Sequence, residues 1–374
     1  MIAYGLMSGT SMDGIDIAAL DTDGEIVSER GPSMMIAWPN IMRRRLEKAL
    51  EAAKQISARD ERPGDLAALE HDITLAHGEL VSRFIEQVDQ RWKRPDIIGF
   101  HGQTVLHRPG QGLTVQLGDG ALLAKRTGLP VAFDLRANDM AHGGQGAPLV
   151  PAYHAALARS LPANARAFPA MFVNIGGISN VTYIPEAGDP LAFDSGPGNA
   201  LIDQWVQANA GVPFDDGGRI GSEGSVVRAI VDAYLDDPFF ARSGPKSLDR
   251  NDFTLDKASG LELADGARTL ATVTAQAIYR AAENVPAPPK IWIIAGGGRL
   301  NANIISDLRQ LCESSPEPGR VLTAEQVALN GDAMEAEAWA FLAVRASKGL
   351  PLTFPGTTGC REAISGGVIV DSRG

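Results

Sequence analysis

The chain has 374 residues, 44% of them hydrophobic and 21% charged, the balance of a globular protein with room for two domains and a substantial core. Its net charge of -11 argues against nucleic acid or an anionic membrane as the main partner, since both reward a basic face. Cys312 and Cys360 show no paired spacing, so neither a disulfide framework nor a structural zinc site is expected; without a basic leader or a membrane-length apolar run, a cytoplasmic protein is the expectation.

Residues 1–7 read as a buried strand and residues 15–20 as a second, which makes 8–14 the turn between them. The turn is rich in small donors. Gly9 and Gly14 permit positive φ and close backbone approach, while Ser8, Thr10 and Ser11 add hydroxyls. Such a concavity suits a phosphate, and Asp13 tolerates one when a divalent cation lies between them. Residues 9–12 echo the nucleophile segment of subtilisin-like proteases, but there the acid and histidine precede the serine, and too little chain precedes Ser11 here. Residues 26–35 read as a third strand, Pro39 opens a helix to residue 53, and Asp65 is placed to cap a second helix to about residue 91. A buried strand at 96–100 is expected to end at His101-Gly-Gln-Thr104. A loop at 107–112, a strand at 114–117, a helix at 118–127 and a strand at 131–133 follow, the last ending in Asp134, Arg136 and Asp139. The glycine-rich stretch 141–148, before a helix at 150–158, marks the expected domain boundary.

Residues 170–184 repeat the opening pattern of strand, glycine turn and strand, which suggests two related lobes facing one cleft. Residues 191–193 lead into Asp194-Ser-Gly-Pro-Gly-Asn199, with Asn199 placed to cap the next helix. A helix at 266–283 precedes a strand at 290–295 that ends in Gly296-Gly-Gly298. A helix to residue 311 follows, with Asn301 or Asn303 near its start, then a last helix at 332–346 and an extension at 351–374. Neither a Gly-x-x-x-x-Gly-Lys-Ser/Thr element nor a strand-borne Gly-x-Gly-x-x-Gly occurs, so a nucleotide would be held another way. Glycine turns around Gly9, Gly176 and Gly296 remain, the arrangement of the sugar kinase, heat-shock chaperone and actin superfamily.

Within that superfamily, the stretches Gly5-Leu-Met-Ser-Gly-Thr-Ser-Met-Asp-Gly-Ile-Asp16, His101-Gly-Gln-Thr104, Gly143-Gly-Gln-Gly-Ala-Pro148, Asn174-Ile-Gly-Gly-Ile178 and Phe193-Asp-Ser-Gly-Pro-Gly-Asn199 closely resemble the anhydro-N-acetylmuramic acid kinase family. Pro245-Lys-Ser247, Gly296-Gly-Gly298 and Glu335-Ala-Glu-Ala338 carry the resemblance across nearly the whole chain. It implies an α/β, two-lobed actin-like ATPase fold, with mixed sheets flanked by helices and a central cleft. Residues 1–138 with 350–374 would form the first lobe and 139–349 the second. It also implies hydrolytic opening of the 1,6-anhydro ring of 1,6-anhydro-N-acetylmuramic acid, coupled to ATP-dependent phosphorylation of the 6-hydroxyl in cell-wall recycling, with Mg2+ and a homodimer.

By the same motifs, Asp194 is the expected catalytic base. Gly9, Thr10, Ser11, Met12, Asp13, Gly14, Ile15 and Asp16 would meet the nucleotide, together with Gly176, Gly177, Gly296, Gly297 and Gly298; Asp13 is the metal candidate. Glu335, Arg136, His101 and Gln103 are the substrate-binding candidates, Arg136 for the lactyl carboxylate unless Asp134 or Asp139 takes it as a salt bridge. Lys246 is a candidate phosphate contact. Glu335 and Glu337 stand roughly 200° apart on their helix, so both cannot face one cleft, and Glu337 receives no role. A kinase for another carbohydrate and a nucleotide-dependent sugar sensor are the alternatives; retention of a base speaks against the sensor. Leu135, Ser195 and Cys360 depart from the usual family residues without removing a group the chemistry needs.

Overall fold

The computed structural model describes residues 1–371 except Thr10, Ser243, Pro245, Arg250 and Asn251. The chain divides into two compact units, Met1–Ser160 with Ala333–Gly374, and Leu161–Asp332. The sequence reading put these breaks after residues 138 and 349. The helix Pro151–Ser160 falls in unit 1 because it packs on the third strand and on the helix Met334–Ser347.

Unit 1 begins with an antiparallel meander of β1 (Ile2–Ser8), β2 (Gly14–Thr22) and β3 (Val27–Ala37). β4 (Ile97–Arg108) lies parallel to β1, β5 (Leu113–Leu117) folds back antiparallel on β4, and β6 (Val131–Phe133) is parallel to β4. In unit 2 the meander is β7 (Ala170–Ile175), β8 (Ile178–Ile184) and β9 (Leu191–Pro197), and β10 (Ile291–Ala295) and β11 (Arg320–Thr323) extend it in parallel beyond β7. β12 (Val368–Val370) returns to unit 1, antiparallel to β6. Among the described residues the sheet orders are β12-β6-β4-β1-β2-β3 and β11-β10-β7-β8-β9, so the same plan of a meander plus two parallel strands occurs twice.

The central strands read as continuous apolar runs because both their faces are covered. All five residues of β10 are buried, as are Ile97 to Phe100 of β4. Helices Asn40–Ala53 and Leu66–Gln87 cover one face of the first sheet through Leu46, Leu69, Ile73 and Phe84. The helix Leu263–Arg280, with Ala200–Ala210, covers unit 2 around Trp205, Val273 and Ile278.

The helix Met334–Ser347 is buried on nearly every side and belongs with β1, β4 and β2, not with the second lobe as its place in the chain suggested. Gly5 on β1 and Gly99 on β4 are register partners, and the helix backbone lies directly over them. A Cβ on Gly5 would sit 1.8 Å from the Ala336 carbonyl oxygen, and one on Gly99 2.0 Å from that of Trp339.

Strand β4 also departs from expectation. His101-Gly-Gln-Thr104 lies inside it, because Gly102 at φ 71° turns the strand from its pairing with β1 to its pairing with β5. Asp65 makes no cap bond at the helix that follows it; Arg45 Nε donates to its carboxylate at 2.9 Å instead. Asn199 likewise caps nothing, whereas Asp119 and Asn301 do cap their helices.

Gly5→Ala should lower the free energy of unfolding by about 3 kcal/mol or abolish folding, since helix backbone cannot yield to the methyl group. Gly110→Ala, with no atom within 4 Å of the added carbon, should change it by less than about 0.5 kcal/mol in the same urea titration.

Candidate active site

The first turn is held from below. Ser8, at the buried end of β1, donates its hydroxyl to the Gln103 side-chain carbonyl, and Gln103 Nε2 donates to the Gly9 carbonyl at 3.1 Å. Both ends of the Gln103 amide are thus engaged within unit 1, and its place is beneath the turn. Above it Met12 takes φ 54°, a conformation non-glycine residues rarely adopt, and Met12 N donates to Gly9 O at 3.2 Å. Ser11 Oγ donates to Asp13 Oδ1 at 2.8 Å, and both residues are exposed. Thr10 lies outside the described residues, as does Pro245. Gly14 and Ile15 are buried in β2, where Asp16 is half-buried opposite Met7 and Met35.

The glycines separate into two kinds. A Cβ would meet Ile36 O at 2.5 Å on Gly14, Asn174 Oδ1 at 2.4 Å on Gly296 and Ile175 Cγ2 at 2.2 Å on Gly298, so packing alone demands these three. On Gly9, Gly176, Gly177 and Gly297 nothing lies closer than 3.4 Å. Open backbone of this kind is what a phosphate approaching main-chain N-H groups requires, and each of these glycines leaves that space within its own unit. Arg299, which the sequence reading passed over, secures the Gly296 turn: it is buried and donates to Gly296 O at 3.1 Å, Glu325 at 2.8 Å and Asp332 at 2.9 Å. Asp13 is exposed, and no cluster of three or more potential metal ligands occurs among the described residues. One exposed carboxylate next to phosphate-binding backbone fits Mg2+, which keeps its waters and leans on substrate phosphates.

Asp194 sits within β9 and not at its end. Asn180 pairs with Asp194 and Ser179 with Gly196, so Ser195 is the extra residue of a bulge, its hydroxyl 2.7 Å from that of Ser179. The carboxylate is half-buried. Leu248 N donates to Oδ2 at 2.8 Å, and Asp194 N donates to Lys246 O at 2.9 Å. Burial pushes the Asp194 pKa up to about 6 against the lowering effect of the Leu248 bond, which suits a base working near neutrality. Lys246 lies with its ammonium 4.6 Å from the Phe239 ring centroid and donates to Arg242 O at 3.1 Å, so its side chain braces the segment that cradles Asp194.

Arg136 is the centre of the unit 1 constellation. Its Nη1 donates to Gly146 O at 2.7 Å and its Nη2 to His101 Nε2 at 3.1 Å, while Nε is buried with no partner and the guanidinium lies 5.4 Å from the Trp339 ring centroid. Neither expected carboxylate neutralises it. Asp134 pairs with Arg59, and Asp139 accepts from the Thr353 and Thr358 hydroxyls at 2.6 Å each and from Gly146 N at 2.7 Å. Burial lowers the Arg136 pKa to about 10 even against Glu335 and Asp139. His101 is pushed well below the usual histidine range, first by burial and then by Arg136, so the neutral ring accepts at Nε2; Nδ1 makes no hydrogen bond among the described residues. Its ring stacks 4.5 Å from Trp339. Glu335 is exposed and accepts no hydrogen bond among the described residues. Glu337, on the other side of the helix, is buried and accepts from Tyr153 at 2.6 Å.

A family model described as Anhydro-N-acetylmuramic acid kinase matches residues 1–372. The chain belongs to the anhydro-N-acetylmuramic acid kinase family. Relatives of that name from Agrobacterium fabrum (strain C58 / ATCC 33970) and Brucella suis (strain ATCC 23445 / NCTC 10510) are each 54% identical to it over 368 residues, 98% of both chains. Among solved structures, a ROK family glucokinase from Streptomyces griseus in complex with glucose and AMPPNP is 15% identical, with a TM-score of 0.42 over 92% of this chain and 99% of that one. Membership in the anhydro-N-acetylmuramic acid kinase family makes the chain an ATP-dependent carbohydrate kinase, and its twice-used sheet plan is the actin-like ATPase form of α/β fold.

Gln103→Leu should lower stability by about 2 kcal/mol, because the buried Ser8 hydroxyl loses its acceptor. Adding Ser8→Ala should restore part of that loss in urea denaturation.

Proposed function

We propose that this protein opens the 1,6-anhydro bridge of 1,6-anhydro-N-acetylmuramic acid with water and transfers the γ-phosphoryl group of ATP to the freed 6-oxygen. The products are N-acetylmuramic acid 6-phosphate and ADP, in the recycling of peptidoglycan. The observation that carries this reading is Asp194, a carboxylate with a pKa of about 6 fixed through one oxygen by Leu248 N. Simple phosphorylation of a bridged 6-oxygen has no proton to give up; hydrolysis needs a base for water. Asp194 takes a proton from water as its oxygen bonds to the anomeric carbon. The bridge bond breaks, and its electron pair stays on the 6-oxygen, which displaces ADP from the γ-phosphorus.

Arg136 is our candidate for the lactyl carboxylate, since it is a half-buried guanidinium that forms no salt bridge among the described residues and whose buried Nε has no hydrogen-bond partner among them. His101 orients Arg136 and Glu335 takes sugar hydroxyls, whereas Gln103 acts from beneath the first turn. Gly9, Gly176, Gly177 and Gly297 are our candidates for the nucleotide, Asp13 for Mg2+, directly or through water. Mg2+, when bound, offsets the charge of the phosphates. Family membership is also our ground for expecting a cytoplasmic homodimer. No helix among the described residues is long and apolar enough to cross a membrane.

A coupled ADP assay should show turnover on anhydro-N-acetylmuramic acid and none on N-acetylmuramic acid or glucose; activity confined to an ordinary sugar would overturn the substrate assignment. The kcat should fall as pH drops through about 6, as Asp194 becomes protonated. Asp194→Asn should still bind ATP and sugar by calorimetry but release ADP at least about 10^3-fold more slowly. A raised carboxyl pKa means that ionisation costs stability: the contribution is full below about pH 4 and lost as pH rises through about 6. Asp194→Asn should therefore melt no lower than the parent at pH 8, which separates lost chemistry from lost fold.

A further inference from the structure

We infer that Asn180 is a second catalytic residue of this reaction: its side-chain amide and the Asp194 carboxylate together hold the attacking water. The inference rests on Asp194 as the base and extends that reading to its partner on the neighbouring strand.

Strand register places the two groups. Asn174 on β7 pairs with Asn180 on β8, and Asn180 pairs with Asp194 on β9. Directly opposed residues of antiparallel strands project from the same face, with Cβ atoms about 4.5–5.5 Å apart. The core of unit 2 takes the alternate residues, Val173, Val181 and Phe193, so the row Asn174, Asn180, Asp194 projects from the other face. Asn174 ends this row at the glycine turn, its Oδ1 occupying the place where a Cβ on Gly296 would fall. Asn180 thus stands between the base and the residue that meets that turn.

Its side chain is half-buried and makes no hydrogen bond among the described residues. The Asp194 carboxylate, one strand away, accepts from Leu248 at Oδ2 and leaves Oδ1 without a bond among the described residues. Two polar groups on neighbouring strands that do not bond each other are matched to one water between them. A water in that position has two protons to direct. Asp194 Oδ1 removes one as the water oxygen bonds to the anomeric carbon, and Asn180 Oδ1 accepts a hydrogen bond from the other, which stays on the product hydroxyl. That second bond aims the water's lone pair at carbon. An amide serves here because it accepts a hydrogen bond without competing for the proton. The bridge bond then breaks to the 6-oxygen, which takes the γ-phosphoryl group from ATP, so no further reactant is needed.

The test is steady-state kinetics of Asn180→Ala and Asn180→Asp with anhydro-N-acetylmuramic acid and ATP, alongside Asp194→Asn. Asn180→Ala should lose about 10^2-fold in kcat while both KM values stay within about twofold, the pattern of an interaction made at the reacting atom. In Asn180→Asp the acid limb of the kcat profile should move to higher pH, because a second carboxylate favours the protonated pair. A merely structural Asn180 would lower the melting temperature of Asn180→Ala and leave kcat per folded molecule unchanged. Should Asn180→Ala fold poorly, Asn180→Ser keeps a short hydrogen-bonding side chain and should recover part of kcat. Unimpaired kcat in Asn180→Ala, or a rise in the KM for ATP alone, overturns the role of Asn180 while an inactive Asp194→Asn leaves the base in place. Full turnover by Asp194→Asn overturns both.

Discussion

The unit 1 constellation depends on one close contact, the helix Met334–Ser347 lying backbone-to-backbone on the paired glycines Gly5 and Gly99. Any side chain at either glycine would push the helix outward by more than a bond length. With the helix seated, Trp339 Nε1 reaches the Met7 sulfur at 3.0 Å and the Trp339 ring stacks on His101 and faces Arg136. Two residues apart on the same helix, Glu335 then points outward and Glu337 inward to Tyr153. A contact that contains no chemistry thus sets where Trp339 and Glu335 stand near Arg136.

Elsewhere in the described structure, buried charge is matched with care, and the exceptions mark the sites. Asp139 has three donors, Arg299 joins Glu325, Asp332 and a carbonyl, and Arg268 makes a paired fork with Asp307 at 2.6 and 2.8 Å. Arg136 has no carboxylate partner among the described residues despite its burial, and Asp194 keeps an oxygen free despite a raised pKa. Leaving either group so is destabilising, and a ligand charge or a water is what would satisfy it. The two imbalances have opposite signs and belong to different units: a cation that awaits an anion, and an acid that awaits a proton.

Much of this was legible in the sequence where the signal is local. Apolar runs broken by glycine located both meanders, and Asn301 was expected near the start of the helix that it caps. The misses all turn on partners distant in the chain. Asp65 was free to cap until Arg45 took its carboxylate, and Asn199 until Ile175 O accepted its amide. Asp194 looked like a turn residue because a bulge is a matter of register between two strands, invisible in either one alone. The last helix was assigned to the wrong lobe because its place follows from Gly5 and Gly99, whose meaning as a seat needs the helix on top. Gln103 is similar: a polar residue in a buried strand announces a partner, but not that the partner is the turn at Ser8 and Gly9.

The repeated sheet plan shows how one architecture carries two kinds of work. In unit 1 the first hairpin turn has hydroxyls and Asp13, and the third strand of the meander, β3, brings Met34, Met35 and Ile36 to the end nearest that turn, with Glu29 and Arg30 farther along it; Arg136 and Glu335 lie after β6 and on the long helix. In unit 2 the corresponding hairpin turn is Gly176-Gly177, open backbone alone, and the third strand carries Asp194. A turn of pure glycine can bind anions but cannot titrate, so the base had to come from a neighbouring strand. The bulge at Ser195 supplies it without lengthening the hairpin, by adding one residue to β9 beside Asp194 while Asn180 and Asn174 stay in register across the sheet. Asp194 is therefore placed by the sheet's own geometry, and its distance from the Gly176-Gly177 turn is set by strand spacing instead of loop conformation.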